Sequence, residues 1–175
     1  QSFAIGGSII NNANAPAGGF YGQDYNRGAN FEDIPLTFFG DETEYITSTT
    51  NPNSYTSIDQ VIIDKGTDQS DSLVVDVQGT FNTPVNDWLR LVNGTFKYLH
   101  DDDLTITQGS QFIIPATAGL FISTSGNTVY LADDNVDNND VYLNGKLTII
   151  DGNVYIGETG APNNNNDIEY SGGGN

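Results

Sequence analysis

Short apolar runs separated by polar turns dominate the second half of this chain. Within each run apolar side chains stand at every second position, and no stretch has the i, i+3, i+4, i+7 spacing of an amphipathic helix. The alternating runs begin at Leu73, Leu89, Phe96, Leu104, Phe112, Leu120, Val129, Val141, Leu147 and Val154. Because Asn, Asp, Gly, Thr and Ser fill the intervening positions and are poor helix formers, the pattern predicts an all-β fold.

The spacing of the runs indicates which all-β fold this is. Residues 141–143, 147–149 and 154–156 are separated only by glycine corners, and a longer polar loop follows them. Three short strands, two corners and one loop form the repeat of a parallel β-helix, in which inward side chains of successive coils stack as apolar ladders. We therefore predict a right-handed parallel β-helix over residues 31–175, continuing beyond residue 175. Residues 1–30, rich in Gly, Pro and Asn, are predicted to be an N-terminal cap or extended segment.

Composition and charge limit which partners and which cellular location the chain can have. The chain has 23 Asp and Glu against 5 Lys and Arg, a formal net charge of −18, which excludes nucleic acid because phosphate binding needs a basic surface. It has no Cys, so disulfides and thiol chemistry are excluded. No apolar run approaches the length of a transmembrane helix. The first residue is Gln1 rather than Met, which is typical of an exported protein after signal-peptide removal, and we predict a secreted or extracellular location.

One loop is a candidate metal site. Oxygen-bearing side chains alternate along it, at Asp133, Asn135, Asp137 and Asn139. This spacing begins an EF-type calcium loop, but the sixth position is Asn138 instead of glycine and the twelfth is Asn144 instead of a bidentate glutamate. Two interpretations stay open, a calcium site and a solvated acidic turn outside the solenoid. Calcium is the one cofactor that the sequence suggests.

Enzymatic activity is not expected. A lyase acting on acidic sugars needs an Arg or Lys base, and cationic residues are scarce in a chain whose charge repels such substrates. The one histidine, His100, lies beside three aspartates and has no nucleophile motif such as G-x-S-x-G nearby. We interpret His100 as an exposed turn residue.

The one tryptophan offers a candidate contact surface. Trp88 and Arg90 flank Leu89 on a predicted strand, so both would point outward if Leu89 and Leu91 point inward. An exposed Trp beside an Arg suits contact with carbohydrate or with a protein. The alternative is that Trp88 packs under a flanking loop.

Four segments within residues 31–175 combine apolar strands with glycine turns. They read "PLTFFGDETEYI", "SIDQVIIDKGTDQSDSLVVDVQGTF", "WLRLVNGTFKYL" and "LNGKLTIIDGNVYIG". These segments resemble large secreted surface proteins of Bacteroidetes that contain right-handed β-helix stretches. The resemblance implies export by the type 9 secretion route and a role as an adhesin, a gliding-associated surface protein or a filament component. Such bacteria O-glycosylate a short Asp-Ser/Thr-apolar pattern, so the resemblance also implies a glycan on Ser72, within Asp71-Ser72-Leu73.

These observations predict a structural or adhesive segment of a large secreted bacterial cell-surface or filament protein. Carbohydrate or protein at the cell surface, or further copies of the chain, are the expected partners. The alternative is a carbohydrate-binding or carbohydrate-cleaving β-helix. A groove of outward aromatic residues with paired carboxylates would favour the alternative, whereas a uniformly polar outer face would favour the structural role.

Overall fold

The computed structural model describes residues 2–12, 28–31, 33–48, 54–85, 87–107, 111–131, 140–156 and 168–170. Within these ranges every helix or strand is a β-strand, which confirms the all-β prediction. None of the described segments forms a helix of the length and apolar character that crossing a membrane requires. In chain order the strands are β1 (Phe3–Ile5), β2 (Ile9–Ile10), β3 (Gly28–Phe31), β4 (Leu36–Gly40), β5 (Glu44–Ser48), β6 (Tyr55–Ile58), β7 (Val61–Lys65), β8 (Ser72–Val77), β9 (Thr80–Asn82), β10 (Leu89–Tyr98), β11 (Leu104–Thr105), β12 (Phe112–Ile114), β13 (Ala118–Leu131), β14 (Val141–Leu143), β15 (Lys146–Ile156) and β16 (Ile168–Glu169).

The strands stack in parallel on three faces. Face A consists of β1, β4, β7 and the first half of β10, and β12, β14 and β16 occupy the same place in their coils. Face B consists of β2, β5, β8, the second half of β10 and the first halves of β13 and β15. Face C consists of β3, β6 and β9, and then of β11 with the second halves of β13 and β15. Each strand therefore pairs with its counterpart one coil away, which confirms the predicted parallel β-helix.

The core is a set of apolar columns inside the three faces. In-register pairing places side chains of successive coils directly above one another, so the period-2 pattern of one coil continues in the next. On face B one column comprises Leu73, Phe96 and Leu120, and the adjacent one comprises Ile46, Val75, Tyr98 and Ile122. All seven are 0–1% exposed. Burying one such side chain stabilises the fold by about 1.5–3 kcal/mol, so the stacked columns are the main source of stability.

Glycine allows the sharp corner between faces A and B. Gly40 ends β4 with φ +99°, and Gly94 bends β10 with φ +83°, a conformation that costs other residues steric strain. A Cβ atom at Gly94 would lie 2.9 Å from the backbone oxygens of Lys65 and Asp71. The coils therefore approach too closely at this corner for any larger residue.

The described part of residues 1–30 belongs to the stack. Strand β1 pairs with β4 on face A, β2 pairs with β5 on face B, and β3 pairs with β6 on face C. These strands form the outermost coil at the N-terminal end of the described solenoid. Most of the predicted cap or extended segment, residues 13–27, lies outside the described residues.

Candidate functional site

The predicted calcium ligands cannot be placed. Asp133, Asn135, Asp137 and Asn139 all lie outside the described residues, so the calcium hypothesis stays a prediction. Among the residues that the structure describes, no group of three or more His, Asp or Glu side chains is arranged to hold a metal ion. This includes the exposed aspartates of residues 101–103.

Trp88 is buried, so of its two interpretations the outward-pointing one is wrong, and Trp88 packs inside the fold. Its side chain is 1% exposed and makes edge-to-face contacts with Phe81 and Phe96, at ring-centroid distances of 5.8 and 5.6 Å. The indole N–H donates to the Thr105 carbonyl oxygen at 2.8 Å. The prediction assumed that side chains alternate between inward and outward back from Leu89. The alternation fails at Trp88 because Asp87, the residue before it, has φ +58° and turns the chain. Trp88 is a core residue that ties the start of β10 to face C.

Arg90 is exposed on face A, as predicted. Its neighbours in the strand, Leu89 and Leu91, are 4% and 5% exposed and point into the core. Because Trp88 is buried, it does not stand beside Arg90 at the surface. The predicted Trp–Arg contact surface therefore does not form.

Ser72 is also inside the fold. It is the first residue of β8, it is 0% exposed, and its hydroxyl lies 3.2 Å from the Thr43 hydroxyl of the preceding coil. A glycan on Ser72 Oγ would have to occupy space between stacked coils. The implied O-glycosylation is therefore incompatible with the folded chain, because the Asp-Ser-apolar motif begins a strand rather than an open turn.

His100 is a structural residue and not an exposed turn residue. It is 8% exposed, and its ring nitrogens lie 3.0 Å from the Val77 carbonyl oxygen and 2.9 Å from Asp102 Oδ2. Both partners are acceptors, so the protonated ring satisfies both while the neutral ring satisfies one. The Tyr98 ring stands edge-on to the imidazole, and its hydroxyl donates to the Asp102 backbone oxygen at 3.2 Å. Burial, helped by the negative charge of residues 101–103, raises the pKa of Tyr98.

A buried ion pair fills the corner between faces A and B, and sequence reasoning missed it. Lys65 is 0% exposed, and its Nζ lies 3.8 Å from Glu44 Oε1 and donates to the Phe39 carbonyl oxygen at 3.2 Å. The Ser8 hydroxyl donates to the other carboxylate oxygen of Glu44 at 3.3 Å. The alternation of Val61 and Ile63 places Lys65 inward, so the signal was present in the sequence.

The outer surface of face B carries a groove of about 280 Å³. Its lining includes Lys97 and Lys146, two of the five Lys and Arg residues of the chain, and no Asp or Glu. The full lining comprises Gln69, Thr95, Lys97, Gly119, Leu120, Phe121, Lys146 and Thr148. In a chain of net charge −18, this is a local concentration of positive charge.

Two outward columns form the floor of this groove. Thr95, Gly119 and Lys146 are in register across β10, β13 and β15, and Lys97, Phe121 and Thr148 form the neighbouring column. A Cβ atom at Gly119 would lie 2.7 Å from Thr95 Oγ1, so the side chain of Thr95 packs over this glycine. Glycine inside a long strand often marks a close approach, and here the approach is that of Thr95 from the preceding coil.

Gln69 lines one wall of the groove; it belongs to the turn at residues 66–71, whose Asp68 and Asp71 are not among the lining residues. The Thr95 hydroxyl donates to the Gln69 carbonyl oxygen at 2.7 Å, and the Gln69 side-chain amide donates to the Ala116 carbonyl oxygen at 2.9 Å. These bonds tie the turn to the next two coils. The groove is therefore a formed feature of the fold. The sequence did not reveal it, because its residues come from different coils.

Comparisons with known proteins returned no relative. The chain matches no protein-family model, and neither the curated proteins nor the solved structures contain a significant match. Inferences about function therefore depend on the chain's own residues and geometry.

Proposed function

We propose that the chain is a stiff structural segment of a larger secreted protein of a bacterial cell surface or surface filament, with an adhesive role. The observation that carries this proposal is the continuous interior. Apolar columns run through successive coils, and each coil is hydrogen-bonded to the next along parallel strands. Face B is paired without a break from β2 through β5, β8, β10 and β13 to β15. Because each coil is held to the next in this way, such a stack suits a spacer that holds partners at a distance.

The outermost described coils support a place in a longer stack. Phe3 is in register with fully buried Leu36 but is 59% exposed, and Ile149 is in register with fully buried Ile122 but is 46% exposed. Each is the last described member of an apolar column. Apolar side chains and strand edges in this position favour pairing with further backbone. We propose that additional coils, of the same polypeptide or of another copy, cover these ends.

The surface location is supported by charge and by the resemblance of residues 31–175 to secreted Bacteroidetes proteins. A net charge of −18 suits an extracellular surface of high ionic strength. Antibodies raised against the folded chain should label intact cells of its source, and labelling should be lost when the type 9 secretion apparatus is disabled. Labelling only after the cells are lysed would contradict the proposal.

The mechanical role can be tested by pulling one molecule from its two ends. Because neighbouring coils hold each other, a stiff stack should unfold in successive steps, each releasing about one coil. The pulling curve should therefore show repeated force peaks. A single rupture at low force would show that the solenoid cannot serve as a spacer under load.

A further inference from the structure

We propose that the groove on face B between Lys97 and Lys146 binds a saccharide that carries carboxylate groups, such as a uronic-acid oligomer. The site lies on the side of the solenoid and leaves both ends free. It therefore does not depend on whether the chain serves as a spacer. It goes beyond a structural role, because it assigns a specific ligand chemistry to named residues.

The charges of the groove select an anionic ligand. Lys97 stands on β10 and Lys146 on β15, two strand spacings away, so their backbones are roughly 10 Å apart across the strands. No Asp or Glu lines the space between them. An ammonium group binds a carboxylate through charge-assisted hydrogen bonds. Two ammonium groups at this separation match an oligomer with repeated carboxylates better than a single small anion.

The uncharged residues of the groove suit the ring and the hydroxyl groups of a sugar. Phe121 is half-buried between Lys97 and Thr148, and its ring can pack against the apolar face of a sugar ring. The half-buried Thr148 hydroxyl can exchange hydrogen bonds with sugar hydroxyls. Gly119 contributes only backbone to the floor of the groove.

The backbone of the groove argues against an extended acidic peptide. Peptides that bind β-proteins commonly add a strand to a free sheet edge. The central strand, β13, is paired with β10 on one side and with β15 on the other across the floor of the groove. Recognition here has to come from side chains alone. The groove therefore favours a saccharide over an acidic peptide.

Binding can be measured by isothermal titration of the folded chain with oligogalacturonate in 0.15 M salt and chelator. At this ionic strength charges separated by more than about 8 Å are screened, so the distant acidic surface contributes little. The chelator prevents calcium from bridging the acidic chain and the uronate. The matched probe is the methyl-esterified oligomer, which keeps the sugar and removes the charge.

The Lys97→Gln/Lys146→Gln variant should bind oligogalacturonate more weakly, by on the order of tenfold or more. Arg90→Gln, which removes an exposed cation from face A, is the matched control and should change affinity by less than about twofold. Phe121→Ala should also weaken binding. Circular dichroism checks that each variant keeps the native fold.

Three results would overturn the proposal. The first is no binding of oligogalacturonate by the native chain. The second is any sign that the groove charges do not select the ligand. Such a sign would be that the methyl ester binds as tightly as oligogalacturonate, or that Arg90→Gln loses as much affinity as Lys97→Gln/Lys146→Gln. The third is binding of polyglutamate as tightly as of oligogalacturonate, with no effect of Phe121→Ala, which would identify an acidic peptide as the ligand class.

Discussion

The buried ion pair at the corner between faces A and B offers the most direct test of how the coils are held together. Replacing Lys65 with Met keeps an unbranched side chain of similar length and removes the charge. It leaves Glu44, 8% exposed, without its cationic partner. The Phe39 carbonyl oxygen loses a donor in the same variant.

The expected loss in the free energy of unfolding follows from the geometry. At 3.8 Å between Lys65 Nζ and Glu44 Oε1, the Coulomb attraction is about 4 kcal/mol at an effective dielectric constant of about 20. The cost of removing both charges from water offsets much of this attraction in the native protein. Removing one partner leaves the other charge buried and alone, which costs about 3–5 kcal/mol. We expect Lys65→Met to lose about 3 kcal/mol, because Glu44 keeps the Ser8 hydroxyl as a donor.

The same physics predicts that a second substitution restores stability. Glu44 is in register with Leu73 at the top of an apolar column of face B, so Glu44→Leu extends that column. The double variant Lys65→Met/Glu44→Leu has no buried charge, and it should come within about 1 kcal/mol of the native chain. An exposed lysine, Lys146, is the matched control, and Lys146→Met should change stability by less than about 0.5 kcal/mol.

Urea unfolding measures these differences. The native chain and all three variants keep Trp88, so its fluorescence reports the aromatic core while far-UV circular dichroism reports the strands. Agreement between the two probes supports a two-state comparison. If Lys65→Met is as stable as the native chain, or if Glu44→Leu does not rescue it, the corner is held by packing alone and our reasoning is refuted.

Four further predictions test other parts of the chain. Gly94→Ala should lower the free energy of unfolding by more than about 2 kcal/mol, because the new Cβ would lie 2.9 Å from backbone oxygens. Gly126→Ala, where φ is +91° and no atom lies within 4 Å, should lower it by only about 1 kcal/mol. Equal losses in urea unfolding would contradict the close-packed corner. Trp88→Phe should lower the free energy of unfolding by about 2–3 kcal/mol, since the Thr105 carbonyl oxygen loses the indole donor. Unfolding followed by far-UV circular dichroism measures this difference, and a loss below about 0.5 kcal/mol would argue against a core role. Because the pKa of Tyr98 is raised in the folded chain, its hydroxyl ionises at lower pH in the unfolded chain than in the folded one. The free energy of unfolding should therefore fall as the pH rises above about 10, the ordinary pKa of tyrosine. Tyr98→Phe should make this fall less steep. If the acidic loop of residues 133–140 binds calcium, the melting temperature should rise with calcium and return with excess chelator. An unchanged melting temperature would favour the interpretation as a solvated turn.

The strands were predictable because their signal is local. Alternation at every second position identified residues 73–77, 141–143 and 154–156, and each lies within a strand of the structure. The glycine and Asx corners between the runs predicted that each coil has three strands. The lengths of the elements were less predictable. Residues 89–91 and 96–98 were separate runs in the pattern, but they form one strand, β10, because Gly94 bends the backbone without ending the strand.

The direction of individual side chains near corners was harder to predict. Alternation assumes a continuous strand, and it fails for Trp88, where Asp87 turns the chain. Ser72 and His100 are polar residues beside aspartates, so the sequence suggests exposed turns. Both are buried because polar side chains at the corners hydrogen-bond to the neighbouring coil, to Thr43 and to the Val77 carbonyl oxygen. Such partners are distant in sequence and depend on coil lengths that vary with the loops.

The same dependence on register decides where surface chemistry can arise in this fold. Each described motif that is local in the sequence proved structural or incomplete: Trp88 is core, Ser72 is interior, and Arg90 is exposed without Trp88 beside it. The groove, in contrast, brings Lys97 and Lys146 together because three strands from successive coils align side by side. Inserting or deleting one residue between β13 and β15 would turn Lys146 to the other side of its strand and remove it from the groove. A ligand site on this solenoid is therefore specified by the pairing register of β10, β13 and β15, and changes in loop length that keep that register should preserve it.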